Sequence, residues 1–197
     1  MVASCIALLS HLASVLVLFS LTLEVLRSSV EFAFIAASLH IISPAGIFLS
    51  APYAESSCAL LSFAGILLFS RSLDYNGKSP FTQNVYLLLS GLTFGIAATF
   101  RSNAVLNGLL LLGEAFRTFF SLANGMEMTK ILRLLVTGAS GLLVGAGFLL
   151  PQYIAYREFC GADAQARSWC QETLPSIYTF VQGYYWFVFS LHVDSVP

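Results

Sequence analysis

Long apolar blocks separated by short polar breaks run the length of this chain. The blocks cover residues 4–23, 30–49, 53–70, 84–100, 104–121, 131–150 and 175–191. A helix rises about 1.5 Å per residue, so roughly 20 apolar residues cross the hydrocarbon core of a bilayer. Most of the blocks approach that length. The pattern predicts an all-α, polytopic helical membrane protein with a single transmembrane domain over 1–197.

The breaks have residue-level causes. Glu24 and Arg27 close the first block, and Glu31 opens the second, where the helix dipole favours an anion. Pro44 interrupts 30–49. Asn76-Gly77 and Ser79-Pro80 are turn signals between two blocks. The run from 84 to 120 is too long for one crossing, and Arg101-Ser102-Asn103 divides it. Gly91, Gly95 and Gly108 allow close helix contacts, and Gly138, Gly141, Gly145 and Gly147 are expected to share a small-residue surface. Pro151 is expected to end the block before it, leaving 152–174 as the largest polar loop. The 175–191 block is dense in aromatics, which suits a lipid-facing groove or a membrane interface.

Composition supports this class. The chain is 57% hydrophobic and 10% charged, against about 25% charged in ordinary soluble domains. A formal net charge of −1 and the lack of a basic patch with interleaved aromatics exclude a nucleic-acid reading. Residues 1–23 lack the basic start of a cleavable signal peptide and read as a span. Lysine and arginine predict the orientation. Arg27, Arg71, Lys78, Arg117, Lys130 and Arg133 fall on one side, and Arg101, Arg157 and Arg167 on the other. The first side is therefore expected to be cytosolic and the second lumenal. Cys5 and Cys58 lie in apolar runs. Cys160 and Cys170 lie in the polar loop and can form a disulfide if it faces an oxidising lumen. No ligand spacing suggests a metal site.

Candidate chemistry concentrates in a few positions. Between Glu31 and Arg71 the only charged side chain is Glu55, at the end of a Pro44–Glu55 elbow that also holds Tyr53. An isolated carboxylate in such a chain is a site candidate, and an interfacial or internally paired group is the alternative. Arg101 can hold phosphate oxygens bidentately, snorkel to the interface, or pair with Glu55. Asn103 and Ser102 can bind hydroxyl groups or cap the following helix. Gln182, Tyr185 and Trp186 can flank a lipid or sugar channel or simply pack. His11 reads as a packing or interface group, and His40 with Pro44 interrupts the second block.

These elements resemble the PIG-V family of GPI mannosyltransferases in its fungal form. The resemblance rests on Ser43-Pro44-Ala45 followed by Tyr53-Ala54-Glu55, and on Arg101-Ser102-Asn103 with Asn107-Gly108. Phe159-Cys160, Trp169-Cys170 and the run of Pro175, Tyr178, Gln182, Tyr185 and Trp186 extend it in order over nearly the whole chain. It implies a multi-pass endoplasmic-reticulum membrane enzyme with a glycosyltransferase C-type bundle. That enzyme would add the second, α-1,6-linked mannose to the glycosylphosphatidylinositol precursor. The donor would be dolichyl phosphate mannose, with no tightly bound cofactor, a divalent cation as an option, and a small membrane partner subunit. Glu55, Arg101, Asn103 and Gln182 are then expected to bind substrate, and Cys160–Cys170 to form a structural disulfide.

The sequence departs from the family pattern at both ends. The family's acidic, tryptophan-containing lumenal loop has no counterpart, since no aspartate precedes Asp74. The catalytic base is therefore expected outside this chain, which reads as a fragment or shortened gene product, inactive alone. A lipid or solute transporter or flippase is the alternative drawn from the broken helices. A non-catalytic membrane assembly subunit is a third reading.

Overall fold

The computed structural model describes residues 2–27, 29–42, 53–74, 79–123, 125–160, 168–171, 175–181 and 183. Its helices are α1 (Val2–Val25), α2 (Val30–Ile42), α3 (Glu55–Leu73), α4 (Pro80–Phe100), α5 (Gly108–Leu122), α6 (Met128–Phe159) and α7 (Ile177–Val181). Short 3-10 helices occupy Ser102–Asn107 and Ser168–Gln171. There is no strand among the described residues. The segments Val2–Val25, Glu55–Leu73, Pro80–Phe100, Ser102–Leu122 and Met128–Phe159 are long and apolar enough to cross a membrane. The chain is an all-α, multi-spanning helical membrane protein.

The chain divides into two compact units, Met1–Phe148 and Leu149–Pro197. In the first unit the exterior is apolar and much of the interior is polar. Leu9, Phe34, Leu109, Phe120 and Leu142 are exposed, whereas Ser14, Ser72, Ser90, Thr137 and Ser140 are buried. This inversion suits a lipid solvent, in which hydrocarbon outside costs nothing and hydroxyls gain from partners inside, although the buried hydroxyls of Ser56 and Ser90 have none. Ser72 donates to the Phe69 carbonyl at 2.7 Å, and the single Ser140 hydroxyl hydrogen is shared between the carbonyls of Val136 at 2.9 Å and Leu87 at 3.1 Å.

The apolar core joins α3, α4, α5 and α6 through Phe69, Leu87, Phe94, Leu111 and Val144. Small residues bring α4 and α6 together. A Cβ on Gly147 would strike the backbone of Gly95, and one on Gly91 would lie 2.5 Å from Ser140. Gly138, Gly141 and Gly145 do not share this surface; a Cβ on any of them would meet open space. Helical period explains the difference. The buried face of α6 runs through Arg133, Thr137, Ser140, Val144 and Gly147 at spacings of three and four. The other glycines fall on the neighbouring stripe.

A buried ion network closes one end of this unit. Glu114, 4% exposed, accepts from Arg117 Nε at 2.8 Å and from Arg133 Nε at 3.0 Å. Arg133 also donates to the carbonyl and hydroxyl oxygens of Ser72, each at 3.2 Å. From the sequence Arg133 counted as a flanking charge; the structure buries it.

α2 is described to Ile42, and 43–52, including the Pro44 interruption, lie outside the described residues. The end of the helix before the polar loop differs from the sequence reading. α6 continues through Pro151 to Phe159, so the start of the expected 152–174 loop is helical. Proline removes one backbone donor, yet membrane helices tolerate it where neighbouring groups satisfy the freed carbonyl. In the second unit Ser176 Oγ donates to Gln152 Oε1 at 2.7 Å and accepts the Thr179 N–H at 3.4 Å, opening α7.

Candidate functional site at the Glu55–Arg101 end

α3 and α4 run antiparallel: Gly65 lies against Phe94, and Glu55 meets Arg101. The first residue of α3 and the residue after α4 therefore reach the same end of the first unit. Arg101 has an extended backbone, with φ −144 and ψ 127. Its N–H closes α4 on the Ala97 carbonyl at 3.0 Å, while its own carbonyl accepts from Ala104 at 3.0 Å and starts the 3-10 turn. The side chain leaves the bundle at this change of path. Its Nη1 lies 2.6 Å from Glu55 Oε1, with the two side chains 42% and 31% exposed.

Small residues let the turn sit close behind the pair. Cys58, Ala97, Ala98 and Ala104 form a buried cluster against Leu61. Asn107 Nδ2 donates to Ser62 Oγ at 2.9 Å and ties the end of the turn to α3. Asn103 is exposed within the turn and Ser102 is half-buried. Neither caps α5, whose N-cap is Asn107 without a side-chain cap bond. The 3-10 turn inserted before α5 moves the helix start beyond their reach. Tyr53 is exposed in the bend before α3.

Sequence reasoning missed a second polar layer, between α1, α2 and α3. Ser14 Oγ lies 3.0 Å from His40 Nε2, and its own hydroxyl donates to the His11 carbonyl at 2.7 Å. Ser14 has one hydroxyl hydrogen, so His40 is the donor in their bond. The His11 and His40 rings are 5.2 Å apart, and Ser10 and Ser57 hydroxyls meet at 3.3 Å. The legible signal was Ser10, His11 and Ser14 at helical spacing on an otherwise apolar segment.

In the second unit Cys160 and Cys170 are joined in a disulfide, with a Cα–Cα distance of 5.7 Å, beside the buried Trp169. Gln182, Tyr185 and Trp186 lie outside the described residues. Among the described residues no group of three or more His, Cys, Asp or Glu side chains is placed to hold a metal ion. Glu55 is one carboxylate already held by Arg101, whereas a divalent cation wants several oxygen ligands. The described residues do not fit such an ion.

An ion pair displayed where two apolar helices break is suited to binding an anionic, hydroxyl-rich group at a membrane surface. Comparison with known proteins points to one family. The pattern of the family described as "Mannosyltransferase (PIG-V)" matches residues 1–193. GPI mannosyltransferase 2 of Gibberella zeae is 43% identical over 186 residues, which is 94% of this chain and 44% of that protein. The corresponding protein of Aspergillus oryzae is 40% identical over 189 residues, 90% of this chain and 43% of the relative. That of Candida albicans is 30% identical over 179 residues, again 90% and 43%. The chain thus spans less than half the length of these curated relatives. No solved structure matches it. A match over almost the whole chain, in a helical membrane protein that keeps the Arg-Ser-Asn turn against the Glu55 end of α3, places this chain in the mannosyltransferase (PIG-V) family.

Proposed function

We propose that this chain forms part of an endoplasmic-reticulum mannosyltransferase with a glycosyltransferase C-type bundle. The enzyme transfers the second, α-1,6-linked mannose from dolichyl phosphate mannose to the glycosylphosphatidylinositol precursor. The Glu55–Arg101 end is the part of this chain that meets the lipid-linked donor, on the lumenal side. The Cys160–Cys170 disulfide suits that side, and a small membrane subunit completes the assembly. The supporting observation is the Arg101 guanidinium, half exposed and held 2.6 Å from Glu55 where α4 breaks. Exposed ion pairs contribute about 0–1 kcal/mol to stability. Stability alone gives little reason to interrupt two apolar helices for one.

Mechanistically, Glu55 positions the guanidinium by occupying Nη1. The planar fork can then address phosphate oxygens and stabilise the charge that grows on dolichyl phosphate as the sugar leaves. Asn103, exposed two residues on, contributes an amide for sugar hydroxyls, and Gln182 is assigned the same kind of role. The donor is already activated. An inverting displacement needs only a base within hydrogen-bond reach of the acceptor's 6-hydroxyl. No residue of this chain is assigned as that base.

The reading is tested by replacing the matching segment of a full-length fungal GPI mannosyltransferase 2 with this chain. The host is a fungal strain depleted of its own enzyme. Restored growth and elongation of the one-mannose glycolipid are expected. Arg101→Ala should lower transfer by roughly a hundredfold at normal protein level. A correctly inserted chimera that leaves the one-mannose glycolipid unextended overturns the reading.

A further inference from the structure

The opposite end of the first unit holds a cavity that the proposed transfer does not use. It has a volume of about 420 Å³ and lies between the start of α4, the end of α5 and the start of α6. Three cations, Arg117, Lys130 and Arg133, share its wall with the amide side chains of Gln83 and Asn84. Both amides are buried, at 7% and 9% exposure. One carboxylate is on the wall, Glu127, which is exposed and pairs with Lys130 at 3.1 Å. Glu114 lies behind the wall and answers part of the positive charge. The wall remains cationic.

Such a wall in a membrane protein needs an explanation. Cations at the end of a transmembrane bundle ordinarily extend into water. Here Arg133 is turned inward and fixed by Glu114, Ser72 and, at 3.5 Å, the Asn84 carbonyl oxygen. The cavity behind which it sits is large enough for a small polar group. On α5 the cavity is lined by Arg117, Thr118 and Ser121, and the exposed apolar residues Leu112, Phe116, Phe119 and Phe120 fall on the opposite face of that helix.

We propose that this cavity binds a phosphate-bearing group, supplied by a lipid headgroup or from solution. Basic pockets between transmembrane helices recognise anionic headgroups through charge and through directed donors. Arg117, Lys130 and Arg133 supply the charge, and the Gln83 and Asn84 amides face the headgroup's hydroxyls. The site is independent of the Glu55–Arg101 end, which lies at the other end of α3 and α4.

The test uses the full chain purified into nanodiscs of phosphatidylcholine, with or without phosphatidylglycerol, and native mass spectrometry to count retained lipid. A parallel arm titrates glycerol 3-phosphate and inorganic phosphate against the thermal transition in detergent. Selective retention of phosphatidylglycerol, reduced about fivefold in Lys130→Gln and further in Lys130→Glu, supports a lipid headgroup. Stabilisation by the soluble phosphates alone, lost in Lys130→Glu, supports the same phosphate site supplied from solution. Equal retention of both lipids with no phosphate response overturns the proposal. So does an anion response that both Lys130 variants leave unchanged. Arg117→Gln serves as the second variant if charge reversal at Lys130 prevents folding.

Discussion

Arg101 and Arg133 carry the same charge in opposite settings. Arg101 is 42% exposed against one carboxylate, and its pair can exchange partners with water or phosphate. The Arg133 side chain is 10% exposed, and Glu114 beside it is 2% exposed. Breaking a buried pair from one side costs about 3–5 kcal/mol, because it leaves an uncompensated charge. Glu114→Leu should therefore be the more damaging substitution, since it strands the fixed Arg133. Arg133→Met should cost less, because Glu114 keeps Arg117. Thermal unfolding of the detergent-solubilised chain reads the difference, and equal losses would contradict the network. The contrast was only half legible in the sequence. Glu55 and Arg101 stood out as charges inside apolar surroundings, and their pairing is the one that the sequence offered as an alternative. Arg133 did not stand out, because a charge at the third residue of an apolar block looks like an interfacial anchor. Its burial depends on Ser72 and Asn84, which are distant in sequence.

At the scale of elements, hydrophobic length located the helices, but period decided their faces. Gly147 and Gly138 have the same chemistry and differ by which stripe of α6 they occupy. Gly147→Ala would press its Cβ into the Gly95 backbone, where no side chain can give way. A loss of about 1–3 kcal/mol is expected. Gly138→Ala meets open space and should be neutral or stabilising by up to about 1 kcal/mol through helix propensity. Paired melting measurements of the two variants check the face assignment; a destabilising Gly138→Ala would reverse it. Pro151 shows where local rules mislead. Read alone it ends a helix, and in the structure α6 continues to Phe159. The interruption at Arg101 was legible because three polar residues in a row have no place in a lipid-facing helix. The 3-10 turn of Ser102–Asn107 was not, since it depends on small residues behind it and on Asn107 reaching Ser62.

For the whole molecule, the inverted partition of polar and apolar groups accounts for a chain with a mean hydropathy of +0.82. The distribution of lysine and arginine predicts that the Glu55–Arg101 end faces the lumen, and the Cys160–Cys170 disulfide of the second unit separately predicts an oxidising compartment. Thiol labelling of the denatured, unreduced chain should modify Cys5 and Cys58 only, and reduction should expose all 4 cysteines. Labelling of Cys160 without reduction would remove the argument from an oxidising compartment. The elbow around Pro44 and the aromatic run containing Gln182 carried much of the family resemblance but lie outside the described residues. Arg101, Glu55 and the turn between α4 and α5 are the parts of the candidate site that the structure describes.

The most direct measurement is the donor KM of the chimeric full-length enzyme carrying Arg101→Lys. Lysine keeps the charge but loses the planar fork. A charged hydrogen bond is worth about 1.5–3 kcal/mol. The KM for dolichyl phosphate mannose should therefore rise between about tenfold and a hundredfold, with the KM for the glycolipid acceptor unchanged. An unchanged donor KM, or a shift confined to the acceptor, would contradict the assignment of Arg101 to the donor phosphate.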